Sequence, residues 1–554
     1  MDCRNSIVQW NCNGFYNHFQ EIKVLDAKYQ PIIMCLQESH LKYGQSASFR
    51  NFDIYRYDSS SENDRAHGGV LTLVRSKFIS RSIRIDTPLQ VVVVELSYPF
   101  KFTLCNIYLP PNENISFDDL VKLIEQLPKP FVILGDFNAH HYIWGSKITS
   151  TRGKMIASLI SRFDLNIMND GRGTRLNPTN GSETCIDLAI CSASLSSLFS
   201  WNVNDDTCNS DHYPIFLTPL SSRVVDEKRP HWILKTADWD KFSLLVEFDE
   251  CFFDKSIDDQ NAHIIDTIIN AANQSIKKSS SKIGQKSVPW WNNAISQAVR
   301  ERKRSLNFFK KHPTSENEKQ FKILKSKTRA LMRYHSKQSW REMVSSINSN
   351  VPQTRIWKQI RSINGRHQPN TIASIEHKSI ISNPSDIVEI LGKNFSRISS
   401  SENYSPSFQR HKSSIEKDPL PITNNEDHYN QPFTNLEFQS ALNATKGSSP
   451  GIDMIHYDML KHLSQAARAY LLKFYVRIWT QQVFPNEWRL SILIPIIKPG
   501  KDPRSAASYR PISLTSCLCK LLERIVNRRL TSKVTIFYPT INLAFAVGDL
   551  RLTV

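Results

Sequence analysis

Along residues 1–220, short apolar runs recur between turn signals, at Ile7–Trp10, Pro31–Gln37, Gly69–Val74, Val91–Leu96, Phe102–Tyr108, Phe131–Leu134, Ile186–Ile190 and Ile215–Leu217. Runs this short, rich in Val, Ile and Phe and bounded by Gly, Pro, Asn or Asp, predict strands. Two stretches carry the spacing of an amphipathic helix instead: Phe117–Gln126, with Ser116 placed to cap it, and Lys154–Phe163. Many strands with few helices predict a mixed α/β class, mainly antiparallel, packed as a two-sheet sandwich.

Beyond residue 220 the pattern changes. Residues 221–395 read as a helical connector, with one helical pattern running from about Ala294 to Ile347. Residues 396–431 are rich in Ser, Asn and Pro without apolar periodicity, which predicts a flexible linker. From Pro432 the order is helix, turn at Lys446–Gly451, helix, strand at Ser491–Ile497, loop, and a helix from about Ser516 to Leu530. Four segments are therefore expected: 1–220, 221–395, 396–431 and 432–554.

Composition agrees with a folded chain, because 40% of the 554 residues are hydrophobic and 10% aromatic. No apolar run approaches the roughly 18 residues of a membrane helix, and residues 1–5 offer no secretory signal. The expectation is a soluble protein of nucleus and cytoplasm with no membrane partner. Ten Cys occur without a CxxC pair; Cys35, Cys105, Cys185 and Cys191 sit in apolar runs, as buried thiols of a reducing compartment do. Cys517 and Cys519 read as packing residues. The net charge of +18 is unevenly spread: residues 1–225 hold 21 Lys and Arg against 22 Asp and Glu, whereas 282–368 hold 20 against 4. Such density predicts a polyanionic partner, RNA or DNA, along 282–368.

The candidate chemistry lies at strand ends. Asn11 and Asn13 follow the first strand, Glu38 the second and Tyr108 a fifth; Asp136 and Asn138 follow Phe131–Leu134; Asp187 opens Ile186–Ile190; Asp211 and His212 precede the last strand. Loops at strand ends are where rigid scaffolds carry function. Magnesium takes one or two carboxylates plus waters and phosphate oxygens, which makes Glu38 the leading ligand candidate. Asp136 or His212 could deprotonate a water that Asn138 orients, and Asp187 could fix the His212 tautomer. Taken singly, Gly135-Asp136-Phe137-Asn138 reads as well as an Asx turn, and Tyr108 as a core aromatic.

The motifs Trp10-Asn11-Cys12-Asn13-Gly14, Leu36-Gln37-Glu38-Ser39, Asn106–Pro111, Gly135–Asn138, Cys185-Ile186-Asp187 and Ser210–Ile215 occur in this order. Together they resemble the endonuclease/exonuclease/phosphatase family, which includes DNase I and the apurinic/apyrimidinic endonucleases, and more closely the endonuclease of jockey-like non-LTR retrotransposons. The resemblance covers residues 5–218. It implies a four-layered α/β sandwich of the DNase I kind, a metal (magnesium, with manganese as substitute) at Asn11, Glu38 and Asp211, and Asp136 and Asn138 at the attacking water. It further implies Asp187 paired with His212, Tyr108 on the phosphate, Asn13 beside the substrate, and nicking of target DNA to leave a 3′-hydroxyl that primes reverse transcription. Pro111 departs from the Asn that abasic-site enzymes carry after Tyr-x-Pro.

Pro289-Trp290-Trp291-Asn292 and the basic helices resemble the segment between endonuclease and polymerase in those elements, with element RNA as the implied partner of 282–368. Residues 446–453, Trp488-Arg489, 494–502 and 509–514 resemble the opening motifs of their reverse transcriptase, so 432–554 are expected as partial α/β fingers. Lys498 and Arg510 would face nucleotide phosphates or template. No Tyr/Phe-x-Asp-Asp turn follows, and 542–548 depart from the related Gln-x-Gly-Phe-Arg-x-Gly pattern, so this part is expected to be inactive. Two other readings of the chain are a catalytically inactive nucleic-acid-binding remnant and a small-phosphodiester phosphatase of the same fold. Oligomeric state is not legible in the sequence.

Overall fold

The apolar runs of the first 220 residues pair into two six-stranded sheets in a computed structural model of the chain, which describes residues 5–58, 67–220, 230–279, 288–347, 372, 375–377, 379–381, 383–415, 417 and 430–537. In chain order the strands are β1 (Ile7–Asn11), β2 (Ile33–Gln37), β3 (Phe52–Tyr57), β4 (Val70–Arg75), β5 (Ser80–Ile83), β6 (Gln90–Leu96), β7 (Phe102–Tyr108), β8 (Phe131–Asp136), β9 (Leu165–Ile167), β10 (Arg175–Leu176), β11 (Glu183–Thr184), β12 (Asp187–Ser192), β13 (Phe199–Val203) and β14 (Ile215–Pro219). One sheet has the order β13-β14-β1-β2-β4-β3 and the other β5-β6-β7-β8-β12-β9, with β10 and β11 forming a small ribbon. Only β1–β2 and β7–β8 run parallel in these two sheets, each joined through a helix: α1 (Phe19–Tyr29) or α2 (Phe117–Gln126).

Side chains from both sheets, among them Ile7, Cys35, Val70, Val94, Leu104, Leu134 and Leu217, make the central core. Helix α1 covers the outer face of the first sheet; α2 and α3 (Thr151–Arg162) cover that of the second. Helix, sheet, sheet, helix is the four-layered α/β sandwich expected. Ser116 caps α2 as expected, accepting from the Asp119 N–H. Six strands are absent from the sequence-based expectation: β10 and β11 of the small ribbon, and β3, β5, β9 and β13, which are the four outer strands of the two sheets. An outer strand leaves one side unpaired and half-solvated, so stretches such as Phe52–Tyr57, with Asp53 and Arg56, carry no clean apolar run.

Two compact units divide the chain: Met1–Val225 with Gly284–Val388, and Asp226–Ile283 with Glu389–Val554. The segment 221–395, expected as one connector, is thus shared between them. The expected helix from Ala294 to Ile347 is two helices, because Pro313 lacks an N–H and disfavours helix at His312. With α4 (Trp239–Leu245) and α5 (Ile257–Ser275) in the second unit, these are α6 (Asn293–Lys311) and α7 (Ser315–Ser345), capped by Asn292 and Thr314. The α6–α7 hairpin packs on the sandwich at two places. Trp290, Ile295 and Met332 meet Val24 of α1, and Leu306, Phe309 and Phe321 meet Leu176 and Tyr213.

The second unit is mainly helical. Phe242, Ile264, Phe438, Leu460, Phe474 and Leu521 share its core, from α4, α5 and the helices Asn435–Asn443, Tyr457–Lys461, Gln465–Gln481 and Cys517–Phe537, with Trp488 of the short 3-10 turn Asn486–Arg489. A hairpin of Ile492–Ile497 and Tyr509–Leu514 adds the only strand pair here among the described residues of 432–537. The expected linker contains the helix Pro406–Ile415, where Pro406 occupies the first turn, which needs no N–H, and the Ser405 hydroxyl accepts from the Phe408 N–H. Residues 282–287, 348–368, 418–429 and 542–548, which figured in the expectations above, lie outside the described residues. All nine described cysteines are free, Cys517 and Cys519 being buried in the core. Among the described residues no helix is long and apolar enough to cross a membrane.

Candidate active site

Sheet polarity decides where the polar residues meet. Because β1 and β2 are parallel, and β7 and β8 likewise, the C-terminal ends of each pair lie side by side. The antiparallel neighbours β14 and β12 bring their starts to the same rim. Asp187, the first residue of β12, stands opposite Asp136, the last of β8, and Tyr108 is also in register with Asp136. Six segments spread over some two hundred residues thus contribute Asn11, Glu38, Tyr108, Asp136, Asp187, Asp211 and His212 to one cluster.

The contacts are specific. The Asn11 amide donates to Glu38 Oε1 and to Asp136 Oδ2, both at 2.9 Å, and the Tyr108 hydroxyl donates to Glu38 Oε1 at 2.9 Å. His212 Nδ1 lies 2.9 and 3.1 Å from the Asp187 carboxylate oxygens, while its Nε2 faces Asp136 Oδ2 at 3.8 Å. The Asn138 backbone N–H donates to Asp136 Oδ1 at 3.0 Å, and its side-chain amide to the Leu109 carbonyl at 3.1 Å. Asn11, Asp136, Asp187 and His212 are buried, whereas Glu38 and Asp211 keep about a fifth of their side-chain surface exposed, 22% and 23%. Glu38, Asn13 and Asn138 have left-handed φ of 49°, 46° and 47°. For Glu38 this costs on the order of 1 kcal/mol, strain of the kind found where surrounding contacts over-determine the backbone.

Electrostatics divides the roles. Burial pulls the Glu38 carboxyl upward, but hydrogen bonds from His40, Asn11 and Tyr108 outweigh it and hold the group down at about 2. Burial and the neighbouring Asp187 push Asp136 up. Burial disfavours charge on His212, yet Asp187 and Asp136 reverse this and raise it. Burial, Glu38 and Asp136 keep the Tyr108 phenol protonated. Four carboxyl groups, Glu38, Asp136, Asp187 and Asp211, thus gather beside Arg175 and His212.

A divalent cation fits the donors present. Glu38 and Asp211, the more open pair, and the buried Asn11 amide beside Glu38 offer oxygens, the chemistry magnesium prefers. Asp136, Asp187 and His212 also lie close enough together for ligand atoms within 4.8 Å of one another. That triad suits a hard, hydrated ion less well, since His212 Nδ1 is committed to Asp187 and all three are buried.

Asn13 stands beside this cluster, its backbone N–H bonded to Asn11 Oδ1 at 3.2 Å and its side chain exposed. Lys498 and Arg510 belong to the second unit, as neighbours on its β-hairpin. Lys498 Nζ is bonded to the Ala507 carbonyl, and Arg510 pairs with Ile496. Three site residues went unforeseen. Arg175 Nε donates to Asp211 Oδ2 at 3.1 Å, His40 Nε2 lies 3.5 Å from Glu38, and the Ser210 hydroxyl donates to the Asn11 carbonyl at 2.8 Å. His40 adjoins a motif and Ser210 opens one, so both were within reach; Arg175 had no local signal.

Residues 102–216 match a family model described as endonuclease-reverse transcriptase. Along its length the chain is similar to the probable RNA-directed DNA polymerase from transposon X-element of Drosophila melanogaster, 22% identical over 95% of this chain and 58% of that protein. The RNA-directed DNA polymerase from mobile element jockey of the same organism is 22% identical over 97% of this chain and 59% of its own. The chain thus spans about three-fifths of the length of these curated relatives. Among solved structures, the endonuclease domain of TRAS1, a telomere-specific non-LTR retrotransposon, aligns with 21% identity and a TM-score of 0.34, covering 39% of this chain and 99% of that domain.

Proposed function

We propose that this chain, which carries an endonuclease–reverse transcriptase region of the jockey-like non-LTR kind, hydrolyses phosphodiester bonds of target DNA with magnesium or manganese at the Asn11–His212 site, leaving a nick with a 3′-hydroxyl. One observation carries this reading: a buried histidine bridged between two buried carboxylates, beside a half-open set of oxygen donors. Glu38, Asp211 and Asn11 would hold the cation. When bound, it supplies positive charge to a phosphoryl oxygen.

The remaining roles follow from the protein's own atoms. Asp136, raised toward neutrality by burial and Asp187, suits a base that takes a proton from water at its carboxylate. Asn138, beside it, orients that water. His212, held through Nδ1 by Asp187, presents Nε2 to the phosphoryl oxygens and offsets their developing charge. Tyr108 stays protonated and donates, first to Glu38 and then to substrate. Outward-facing cations of α6 and α7, such as Arg304, Lys319, Lys327 and Arg341, with exposed Tyr334 and Trp340 between them, suit a nucleic-acid backbone, element RNA or target DNA.

The test is nicking of supercoiled plasmid by the full chain with magnesium, with a chelator, and after His212→Ala. Nicking that needs the metal and falls about 10²–10⁴-fold in the variant is expected. Metal-independent nicking, or equal rates for both proteins, would overturn the proposal; binding without any cleavage would favour the nucleic-acid-binding remnant.

A further inference from the structure

The loop that delivers Asp211 and His212 is not held by the sandwich alone. Cys208 and Asn209 are consecutive non-glycine residues with left-handed φ of 52° and 69°, a shape that persists only where surroundings enforce it. The sandwich supplies Glu21, which accepts from the Asn209 amide at 2.5 Å, and Asn11, whose carbonyl accepts from Ser210. The sandwich also supplies His18, whose Nε2 lies 2.9 Å from the Asn209 carbonyl, and three further side chains come from the α6–α7 hairpin, 93 to 120 residues later in the chain. Arg302, 3% exposed, donates at 2.6 Å both to Asn209 Oδ1 and to the buried Asp206 carboxylate. Arg329 donates to the Asn209 carbonyl at 3.1 Å, and Lys325 to the Ser210 carbonyl, immediately before Asp211, at 3.2 Å. On the other flank, Lys310 pairs with Glu183 at the turn end of the β10–β11 ribbon, and Phe309 packs on Tyr213, the residue after His212.

We infer that the α6–α7 hairpin is a working part of the nuclease, and that Arg302 is a positioning residue which sets the Asp205–Ser210 loop and so the placement of Asp211 and His212. This rests on the nuclease reading above. A basic hairpin whose sole task was to bind a polyanion would point its cations outward. Here Arg302, Lys325 and Arg329 are instead spent on loop carbonyls and buried acids of the sandwich. Without Arg302, Asp206 would be a buried carboxylate lacking its partner, an arrangement that drives a loop to rearrange.

The experiment uses the full chain, comparing Arg302→Met, Arg302→Lys and Lys325→Met with wild type. Three readouts apply: steady-state nicking, manganese affinity by calorimetry, and amide hydrogen exchange of residues 204–212. Arg302→Met is expected to lower kcat about 10–100-fold with the KM for DNA little changed, to weaken manganese binding several-fold, and to speed exchange of that loop. Arg302→Lys should recover part of each. A rise in KM with kcat unchanged would show that the hairpin only holds DNA; unchanged metal affinity and exchange would show that Arg302 does not set the loop, and either result overturns the inference. If wild type fails to nick, the nuclease reading falls, while metal affinity and exchange still decide the role of Arg302. Should Arg302→Met fail to fold, Lys325→Met carries the same three measurements.

Discussion

Two regions of this molecule carry polar motifs at the ends of strands, and they differ in who their partners are. In the sandwich, Asn11 reaches Glu38 and Asp136, and His212 reaches Asp187, across 25 to 125 residues of chain. In the second unit, Asp502 is bound by Arg504 two residues away, and Lys498 by Ala507. Its hairpin also leaves Leu493, Ile494 and Ile496 between 40% and 48% exposed. Polar groups satisfied by near neighbours are doing what turn residues do anywhere. Buried groups that also draw partners from distant segments, as Asp136 does from Asn11 and His212 from Asp187, require the whole fold to be in place.

The comparison can be broken most directly by mutation of each rim. Glu38→Ala should lower magnesium-dependent nicking by at least about a hundredfold, given that even outer partners of metal ligands carry 10–100-fold effects. Lys498→Ala should leave nicking of the same plasmid unchanged. Equal losses in the two variants would mean that long-range convergence was the wrong criterion. Next in size, Asp187→Asn leaves His212 without its anion and should reduce kcat about 10–100-fold while DNA binding, followed by gel shift, persists. A fully active Asp187→Asn protein would take that pair out of the chemistry.

Backbone packing sharpens the contrast. A Cβ at Gly135 would collide with the Ile107 carbonyl oxygen, whereas one at Gly447 meets nothing within 4 Å. Gly135→Ala should therefore destabilise the sandwich by about 1–3 kcal/mol or more, and Gly447→Ala should stay within roughly 0.5 kcal/mol, by denaturant melts.

The smallest effect belongs to the second unit. Hydrogen bonds from Arg529 and from Thr434, outweighing slight burial, hold Glu437 down at about 2 from its ordinary 4.5. A depressed carboxyl contributes stability above its unfolded value and loses it as pH falls through its folded one. The window is thus from about 4.5 down to 2. Because Glu437 is half-buried, with 29% of its side-chain surface open to solvent that screens the pair, Glu437→Gln should flatten the acid limb by about 1 kcal/mol or less. A larger change, seen in thermal melts across that window, would mean that this ion pair is as structural as those of the sandwich.

Much of the sandwich was readable because its inner strands are continuous apolar runs, and a polar residue at the end of such a run stands out: Glu38 after Ile33–Gln37, Asp136 at the end of Phe131–Asp136. What stayed hidden follows from the same physics. Arg175 and Arg302 serve the site through partners that chain position does not announce. The turn at Pro313 did carry a legible signal, a proline inside a helical pattern, yet charge periodicity on either side made one long helix look continuous. The second unit was legible in part: its helices and Ile492–Ile497 follow the expected order, but Tyr509–Leu514, expected within a loop, is a strand paired with Ile492–Ile497, and Pro406–Ile415 lay hidden in a stretch whose composition resembles a linker.

The discontinuity of the two units bears on how the protein is made. The chain completes β14, lends residues 226–283 to the other unit, and only then returns with α6 and α7. A ribosome adding about 5–20 residues per second needs on the order of ten seconds between those events. During that interval the nascent sandwich has its carboxylates and its histidine but not Arg302, Lys325 or Arg329, whose hydrogen bonds reach the loop ahead of Asp211. For the same reason, exchanging only the first 220 residues between similar chains would divide a folded unit, and a graft that keeps the unit whole would have to include the returning helices.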